Sequence, residues 1–541
     1  MRKRLLIPIL ASALFLVGSS FKSDFFEIAK QIEIFNELFK ELNMNYVDET
    51  NPAQLMDRAI EGMLDGMDPY TKYWTEQEVE NSKINRRGSY TGIGASVRSI
   101  NGRMIIAEPW KDYPADKAGL KAGDEIIKID NLSVKDTPDA NNLLKGAAGT
   151  KVTLTYKRQG KTETATLERE GVDVDAVPFY KLLDDDIGYI VATKFNEKIS
   201  KQVARAMQDL KEQGATSLIL DLRGNPGGLL SEAIAVSNLF IPKGKLITET
   251  KSSIQKYNRT YLTKKPALDL DIPVAVLING RSASASEIVS GSLQDYDRAV
   301  VVGARSYGKG LVQRPKPLSY GTQIKVTISR YYTPAGRCIQ ALDYWNRDEN
   351  GNAVRTLEKD YNAFKTEAGR TVYDGGGVAP DIEVATAQFS PITTALLGQN
   401  AIFDYATQYY YSKARVTDMA NFKLTDSDFA DFKKWLRDSG FEFETETEKS
   451  FNLAFAKAEK EELDDDIGTS YNAMKKQIQD AKWKDIDDKK PEIMSLLTDE
   501  LVKRYFYRDG LYTYQTMFNP EIAAARQVLL DKNKYNKILR K

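Results

Sequence analysis

The sequence predicts a multidomain protein whose largest part is a layered α/β domain. At 541 residues the chain is longer than one ordinary hydrophobic core can fill. Between about residues 178 and 386, near-continuous apolar strands alternate with helical stretches, a pattern typical of a sheet covered by helices on both faces. Short strands separated by turn residues precede this region, and a helical, highly charged region follows it.

The changes in pattern also predict where the domains begin and end. The predicted segments are a signal peptide at 1–20, an N-terminal helical domain at 25–88, a β-rich domain at 89–177, the α/β domain at 178–390 and a helical C-terminal domain at 391–541. In the N-terminal domain, apolar residues such as Ile28, Leu38 and Leu42 fall mostly on one helical stripe. The last segment carries an acidic run from Glu459 to Asp466 and no recognisable chemistry, so its role in shielding, assembly or adaptor binding stays open.

The composition excludes several classes of mechanism. Lysine and arginine number 76 against 76 aspartates and glutamates, so the chain lacks the basic excess of a nucleic-acid-binding protein. Histidine is absent, which rules out every mechanism that uses imidazole as a base, an acid or a metal ligand. The single cysteine, Cys338, can form neither an intrachain disulfide nor a thiolate zinc cage, and its simplest interpretation is a small buried apolar residue.

The first residues have the pattern of an export signal. Arg2, Lys3 and Arg4 precede an apolar run from Leu5 to Val17, and small residues follow the run. The run is shorter than the roughly 18 to 20 residues that span a bilayer comfortably. We therefore expect export to the periplasm or cell envelope of a bacterium, with an uncleaved membrane anchor as the alternative.

A glycine-bearing loop stands out in the β-rich domain. Tyr90-Thr-Gly-Ile-Gly94 precedes a strand, and a short helix at Pro114–Leu120 follows, in an order that resembles a PDZ domain. The loop of a PDZ domain offers backbone N–H groups to the terminal carboxylate of a peptide, and the next strand pairs with that peptide. The resemblance implies that Gly92, Ile93 and Gly94 bind peptide tails.

The α/β domain is predicted from strands and helices that alternate along the chain. The predicted strands are Ile187–Ala192, Ser217–Leu222, Val274–Ile278 and Ala299–Val302, and the predicted helices run near Ile199–Gln213, Leu229–Phe240 and Ala283–Gln294. Catalytic groups in such domains gather at the ends of strands. Three segments that follow strands therefore have to be considered together.

Two of these segments combine small residues with a strand-to-helix corner. Asp221-Leu-Arg-Gly-Asn-Pro-Gly-Gly228 is a turn that can aim backbone N–H groups at negative charge, although a phosphate-binding turn or a plain tight loop fits it equally. Asn279-Gly-Arg-Ser-Ala-Ser-Ala-Ser-Glu-Ile288 places serines at the start of a helix, where a substrate backbone can come close. Taken alone, the second segment is explained better by a serine that caps a helix.

The third segment, Arg305-Ser-Tyr-Gly-Lys-Gly-Leu-Val-Gln313, supplies a candidate base. Lys309 lies between two glycines, and Gln313 follows four residues later. Without histidine a serine hydrolase needs another base, and a desolvated lysine is the known substitute in Ser-Lys dyads. The lysine pKa of roughly 10.4 must then fall by several units, which requires an enclosed site. A solvated surface lysine is the alternative, and it fits a Gly-Lys-Gly corner less well.

Together these motifs resemble the C-terminal processing (tail-specific) peptidases, which are Ser-Lys dyad serine proteases with a PDZ domain and a crotonase-like α/β core. The resemblance covers about residues 25 to 390. It implies that Ser284 is the nucleophile, that Lys309 is its base and that Gln313 positions the lysine. Glu287 belongs to the serine motif, but no role for it follows from the sequence.

The family resemblance also implies supporting residues. Backbone N–H groups of Ala285, Gly227 and Gly228 are expected to form the oxyanion hole. In some relatives, an arginine that matches Arg169 couples the peptide-bound PDZ domain to the active-site glutamine, so tail binding is expected to align Gln313.

The expected function is an exported serine endopeptidase that binds protein C-terminal tails and cleaves near them by acyl transfer, without a metal or cofactor. Its expected partners are unfolded or tail-exposed proteins, with no nucleic acid, and with the membrane only if the signal segment is retained. The C-terminal domain is a possible site for an oligomer or adaptor contact. An inactive PDZ adaptor or chaperone is one alternative. An enoyl-CoA-hydratase-like enzyme is another, although the PDZ domain and export signal argue against it.

Overall fold

The computed structural model describes residues 6–100, 102–137, 139–385, 390–413 and 415–541, with side chains described from residue 25 onward except at 464. The basic residues predicted to open the export signal, Arg2, Lys3 and Arg4, lie outside the described residues. The chain divides into two compact units, Met1–Thr75 with Pro315–Thr327 and Glu76–Arg314 with Ile328–Lys541.

The first unit contains two helices and a short strand, which are α1 (Leu6–Asn45), α2 (Pro52–Asp65) and β1 (Lys72–Trp74). The Asn51 side chain caps α2 by accepting hydrogen bonds from the backbone nitrogens of residues 53 and 54. Asp68 orders the predicted turn because its carboxylate accepts hydrogen bonds from the backbone nitrogens of Tyr70 and Thr71. In neither unit is any described helix long and apolar enough to cross a membrane.

The second unit begins with helix α3 and the β-rich domain. Their elements are α3 (Glu76–Arg87), β2 (Ser89–Gly92), β3 (Ala95–Ile100), β4 (Arg103–Pro109), α4 (Pro114–Lys117), β5 (Glu125–Ile129), β6 (Leu132–Ser133), a 3₁₀ helix (Ala140–Leu144), β7 (Lys151–Arg158), β8 (Lys161–Glu168) and β9 (Glu170–Asp173). Strands β3, β4, β5, β7 and β8 form an antiparallel sheet in that order, β6 pairs with β5, and β2 pairs with β9. Alternate residues of these strands point inward to a closed apolar core.

The α/β domain follows with a sheet that is parallel except at one edge. Its elements are β10 (Phe179–Leu182), β11 (Ile187–Val191), α5 (Ile199–Glu212), β12 (Ser217–Asp221), α6 (Leu230–Ser237), β13 (Leu246–Lys251), a 3₁₀ helix (Gln255–Tyr257), β14 (Arg259–Leu262), β15 (Val274–Ile278), α7 (Ala285–Asp295) and β16 (Val300–Gly303). The sheet order is β10-β11-β12-β15-β16 and then a short strand at Ile382–Glu383, with only β10 antiparallel to its neighbour. The predicted layered α/β fold class is thus confirmed.

Further strands and short 3₁₀ helices follow along the chain, and some of these strands belong to a second sheet. They are β17 (Leu311–Pro317), a 3₁₀ helix (Ser319–Gly321), β18 (Gln323–Tyr332), β19 (Leu342–Arg347), β20 (Ala353–Arg355), a 3₁₀ helix (Glu358–Asp360), β21 (Ala363–Lys365), β22 (Thr371–Tyr373) and β23 (Ile382–Glu383). In the first unit, β1 pairs with residues 323–325 of β18. In the second unit, residues 330–332 of β18 pair with β13, which pairs on its other side with β14.

The helical C-terminal region consists of α8 (Pro391–Gly398), α9 (Ala401–Ser412), α10 (Asp426–Asp438), α11 (Glu446–Lys460), α12 (Asp464–Asp488), α13 (Lys490–Phe518), α14 (Pro520–Leu530) and α15 (Lys532–Leu539). Helices α8, α9, α10, α12 and α13 supply one apolar cluster of their own. Helices α14 and α15 instead complete the α/β domain. Their residues Ile522, Val528 and Leu539 are buried against one face of the central sheet, whereas α5, α6 and α7 cover the other face.

The C-terminal helices also contact the β-rich domain. Arg508 of α13 forms an ion pair with Glu108 of β4, and the Tyr507 hydroxyl donates a hydrogen bond of 2.7 Å to Asp116 of α4. Tyr507 has a φ of 59° inside α13, so the helix is interrupted where it meets this domain. The C-terminal region therefore contacts both the β-rich domain and the central sheet.

Candidate active site

Ser284 lies at the corner between strand β15 and helix α7. Its φ of 56° and ψ of −110° are rare for a residue with a side chain. Such a conformation costs of order 1–3 kcal/mol and persists only where the surroundings enforce it. The neighbouring Ala283 and Ala285 are buried while Ser284 is partly exposed. This serine therefore occupies a strained corner at the carboxyl end of an interior strand of the central sheet.

The carboxylate of Glu287 connects this corner to the segment that contains Lys309. One carboxylate oxygen, Oε2, accepts hydrogen bonds from the backbone nitrogen of Ser284 at 2.7 Å and from that of Lys309 at 2.9 Å. The other, Oε1, accepts from the Gly308 nitrogen at 2.6 Å and from the Ser306 hydroxyl at 2.5 Å. A single oxygen atom thus holds the backbones of both members of the predicted dyad.

Glu287 is completely buried, and burial raises the pKa of its carboxyl group although the four donors oppose the shift. Sequence reasoning assigned no role to this residue. A signal was present nevertheless, because a serine followed three residues later by a glutamate is the pattern of a capping box. The hydrogen bond from the Ser284 nitrogen to Glu287 is one half of that arrangement.

The glycines on either side of Lys309 allow its segment to pack tightly. A Cβ atom on Gly308 would lie 2.4 Å from the Ala341 Cβ atom, and one on Gly310 would lie 2.8 Å from the Gln340 nitrogen. The Gly310 nitrogen donates to the Gln340 side chain at 2.8 Å. Lys309 is itself partly buried. The Gly-Lys-Gly sequence is therefore needed for close approach to residues 340–341.

Tyr331 contacts the backbone at the serine corner. Its hydroxyl donates a hydrogen bond of 3.3 Å to the carbonyl oxygen of Ser284, and its ring is buried in the core. Burial, with Glu287 nearby, raises the Tyr331 pKa well above its ordinary value, so the hydroxyl stays a donor. No sequence pattern points to Tyr331, because it lies 47 positions beyond Ser284.

The glycine-rich turn after β12 lies directly against Ser284. A Cβ atom on Gly227 would be 2.6 Å from the Ala283 carbonyl oxygen and 2.9 Å from the Ser284 Cβ atom. The Gly227 N–H, however, donates to the Asn225 side chain at 2.9 Å. The Gly227 N–H therefore already has an acceptor. Gly227 contributes instead by having no side chain, which lets the turn pack against Ser284.

The remaining predicted oxyanion donors are Ala285 and Gly228. Ala285 is the first residue of α7, where a backbone N–H has no partner within the helix. Gly228 forms a parallel bridge with Phe195 through the residues on either side of it, which directs its own N–H away from Phe195. Ala285 and Gly228 therefore remain the candidate oxyanion donors.

An ion-pair network anchors the same turn to the C-terminal region. Asp221, at the end of β12, accepts hydrogen bonds from the Arg223 side chain and from the Tyr189 hydroxyl. Arg223 also donates to Asn519 at 2.7 Å and to Glu521 at 2.8 Å, at the start of α14. The position of the glycine-rich turn thus depends on a helix almost 300 residues later in the chain.

The predicted tail-binding loop, Gly92-Ile93-Gly94, connects β2 to β3. Ile93 is buried, and Gly94 has a φ of 69°. The Tyr90 hydroxyl lies beside the backbone N–H groups of Ala95 and Gly94, which lower its pKa, but burial outweighs them and raises the pKa to about 12. A tyrosine hydroxyl of this chain thus lies next to the donors that a peptide carboxylate would use.

Arg169 is held inside the β-rich domain. Its guanidinium donates to the Leu143 carbonyl at 2.7 Å, to the Thr150 hydroxyl at 2.9 Å and to the Lys151 carbonyl at 3.1 Å. Its Nε atom is buried and has no hydrogen-bond partner among the described residues. Gln313 lies on β17, partly buried. Coupling between Arg169 and Gln313 stays a prediction.

Three family models match this chain. The peptidase family S41 model matches residues 186–344, the PDZ domain model matches 91–168, and a model described as the C-terminal helical domain of a probable PDZ-protease matches 392–529. The chain is also 36% identical over 321 residues to the carboxy-terminal-processing protease of Bartonella bacilliformis, across 58% of this chain and 73% of that protein. The chain belongs to the carboxy-terminal-processing proteases of peptidase family S41. The family predicted from the sequence is thereby confirmed, together with a serine-type peptidase activity and the PDZ domain.

Other relatives of this protease agree. The carboxy-terminal processing protease CtpA of Bacillus subtilis is 34% identical over 308 residues, across 56% of this chain and 66% of that protein. Among solved structures, the photosystem II D1 C-terminal processing protease aligns with a TM-score of 0.37 at 26% identity, covering 64% of this chain and 85% of that chain. The structural score is too low to add to the assignment, which depends on the sequence matches.

Proposed function

We propose that this carboxy-terminal-processing protease uses Ser284 as its nucleophile and Lys309 as its general base. The observation that carries the proposal is the Glu287 carboxylate, which binds the backbone nitrogens of both residues through one oxygen atom. A buried carboxylate with four donors fixes the two segments relative to each other. Such fixing of two reacting groups is a major part of catalysis.

The proposed reaction is acyl transfer. Lys309 takes the proton from the Ser284 hydroxyl, which attacks a peptide carbonyl carbon. The oxyanion that forms accepts hydrogen bonds from the N–H groups of Ala285 and Gly228. Lys309 then protonates the leaving amine, and water hydrolyses the acyl-enzyme by the same route. Gln313 is proposed to orient the lysine amine.

Cleavage of an unfolded reporter protein with an apolar C-terminal tail tests the dyad. We expect Ser284→Ala and Lys309→Ala to abolish cleavage, while Lys316→Ala, an exposed lysine further along the same strand, retains it. Mass spectrometry of the fragments locates the cuts. Cleavage by Ser284→Ala at the wild-type rate would disprove the nucleophile.

The tail of the substrate is proposed to bind at Gly92-Ile93-Gly94. Arg169 is proposed to couple this binding to Gln313 in the active site. The PDZ domain match and the backbone donors of this loop support the first step. The buried Nε atom of Arg169, which lacks a partner among the described residues, supports the second, because such a group gains by moving to a new acceptor. If Arg169→Ala leaves the stimulation of cleavage by a tail peptide unchanged, Arg169 has no such role.

Export to the bacterial cell envelope is proposed from the basic residues before Leu5 and the apolar run that ends at Val17. Envelope proteins with exposed or unfolded C-termini would then be the substrates. Fusion of residues 1–24 to a reporter enzyme that is active only outside the cytoplasm tests this step. A reporter without activity would contradict export by this segment.

A further inference from the structure

A groove of about 880 Å³ lies on the α/β domain between helices α5 and α6 and strand β14. The apolar floor of the groove includes Leu230, Ile234 and Leu239. These side chains pack against the core of the domain but are only partly buried. The apolar surface that remains faces the groove. A cavity of this size and character is typical of a ligand-binding site.

The charged residues that line the groove all carry the same sign. They are Lys201, Arg259, Lys264 and Lys265, and no acidic residue of the described chain lines it. The nearby carboxylates of Glu232 and Asp269 are engaged by Ser200 and Lys211 respectively. Because the whole chain has no net charge, this basic rim is a local feature, and it favours a ligand with acidic groups.

One wall of the groove is the edge of a sheet. Strand β14 is the last strand in the order of its sheet, and it pairs with β13 on one side. On the β13 side, the Thr263 N–H donates to the Lys245 carbonyl and the Thr263 carbonyl accepts from the Gly244 N–H. The Arg259 N–H also faces β13, because it donates to the side-chain hydroxyl of Thr250. By the alternation of an antiparallel pair, the N–H and C=O groups of Thr260 and Leu262 point outward. An open edge of this kind pairs readily with an extended peptide.

We propose that this groove is a second peptide-binding site, which takes an extended segment with alternating apolar and acidic residues. The segment adds to the outer edge of β14. Its apolar side chains contact Leu230 and Ile234, and its carboxylates pair with Lys264 and Lys265. The site lies apart from the PDZ loop and requires no terminal carboxylate.

The occupant is a stretch of the protein substrate. Helix α6, which forms the floor, begins two residues after Gly228 of the glycine-rich turn, so a substrate held here lies against the helix that follows one segment of the candidate active site. This identification of the occupant rests on the proposed function. Peptide binding itself does not, and the two can fail separately.

The test is fluorescence anisotropy with a labelled ten-residue peptide of alternating valine and glutamate, amidated at its C-terminus to exclude binding by the PDZ loop. The full-length Ser284→Ala protein is used, and mass spectrometry verifies that the peptide stays intact. We expect the double variant Lys264→Glu/Lys265→Glu to weaken binding about tenfold or more. Two further peptides carry N-methyl groups on alternate residues, at odd or at even positions. Only one of these sets of nitrogens pairs with β14, so we expect one methylated peptide to lose binding and the other to retain it.

The matched control is Lys532→Glu/Lys534→Glu, which reverses two exposed charges on α15 and should leave the affinity unchanged. A peptide with lysine in place of glutamate should not bind. Equal affinity for the acidic and basic peptides, or an unchanged affinity in the Lys264/Lys265 double variant, would overturn the proposal. Because the readout is binding, these outcomes do not depend on whether Ser284 is the nucleophile.

Discussion

At the scale of single residues, the candidate site depends on a carboxylate that makes and breaks no bonds in the proposed mechanism. Glu287 accepts four hydrogen bonds from the segments that carry Ser284 and Lys309. All four donors are neutral, so the charge is stabilised by hydrogen bonds alone within a buried site. Any change at this position should therefore affect stability and activity together.

We expect Glu287→Gln to lower the free energy of unfolding by about 2–3 kcal/mol, because an amide nitrogen would face backbone donors. The displacement of Ser284 relative to Lys309 should lower kcat/KM by about a hundredfold. Ser306→Ala removes one of the four donors and also the acceptor of the buried Val378 N–H, so it should cost about 2 kcal/mol while leaving the backbone contacts of Glu287 in place. Urea denaturation and reporter cleavage measure the two effects, and full activity in Glu287→Gln would contradict this role.

Tyr90 is the second residue whose position matters, because its hydroxyl lies next to the donors of the tail-binding loop and would compete for them. We expect Tyr90→Phe to bind a free-carboxylate tail peptide about five- to tenfold more tightly, since the competing acceptor is gone. Tyr156→Phe is a matched control, because the Tyr156 hydroxyl bonds to Glu163 in the same domain. Isothermal calorimetry with free and amidated tails measures the affinity. A weaker or unchanged affinity in Tyr90→Phe would exclude competition.

At the scale of elements, the turn after β12 and the start of α7 fit together with no room for a methyl group. Gly227→Ala would place a Cβ atom 2.6 Å from the Ala283 carbonyl oxygen and 2.8 Å from the Ala285 nitrogen. The turn or the serine corner must then shift, and we expect kcat/KM to fall by about a hundredfold or more. Steady-state cleavage of the reporter measures this loss.

Gly224 is the natural comparison, because it lies in the same turn and also has a positive φ, of 69°. A Cβ atom there would meet nothing within 4 Å. Gly224→Ala should therefore cost only about 1 kcal/mol of backbone strain and leave kcat/KM close to the wild-type value. If the two variants lose activity equally, the loss comes from backbone strain and not from contact with the serine corner.

Helix α13 contains a carboxylate that should make stability depend on pH. Burial raises the pKa of Asp499 to about 6. The ordinary value is roughly 3.9, so the folded protein binds a proton more tightly than the unfolded chain. The contribution of this group to stability is present below that ordinary value and is lost as the pH rises through the folded value.

Asp499→Asn removes this dependence. At about pH 8 we expect the variant to be more stable than the wild type by as much as about 2–3 kcal/mol, and at about pH 4 we expect no such gain. Urea denaturation curves at both values measure the difference. A constant difference across the range would show that Asp499 has an ordinary pKa.

At the scale of the whole chain, α13 and α14 connect the PDZ domain to the protease domain. Arg508 pairs with Glu108 of the PDZ domain, and Glu521 pairs with Arg223 beside the glycine-rich turn. The Arg508 side chain is 49% exposed, so the first pair adds at most about 1 kcal/mol to stability. We expect this pair to matter because it holds the PDZ domain in position, and not because of its contribution to stability.

We expect Arg508→Glu to reduce the stimulation of cleavage by a tail peptide, while the affinity for that peptide changes little. The double variant Arg508→Glu/Glu108→Arg restores the pair and should restore the stimulation. Reporter cleavage with and without the tail peptide measures the effect. Stimulation that stays normal in the single variant would show that this contact carries no signal.

The sequence predicts the central sheet well because its strands are apolar throughout and need no partner to be recognised. Val274–Ile278 is an example, since all five residues are fully buried. Helix α7 begins at Ala285, two residues later than the predicted start near Ala283. Ser284 has a positive φ, so it forms the corner and not the first turn.

Other features depend on contacts that a sequence pattern does not contain. The hydrogen bond from the Gly227 N–H to the Asn225 side chain, for example, depends on the conformation of the folded turn. The apolar residues of α14 and α15 indicate a buried face, but not what covers it. Tyr535, for example, bonds to Val274, 261 residues earlier in the chain.

The covering of the sheet by α14 and α15 has a consequence for the order in which the protein matures. Ser284 and Lys309 are synthesised some two hundred residues before Ile522 and Leu539, which bury the second face of their sheet. Until those helices leave the ribosome, that apolar face has no cover and the Arg223 turn has no Glu521 to hold it. A nascent chain therefore carries Ser284 and Lys309 before the helices that complete their framework have been made.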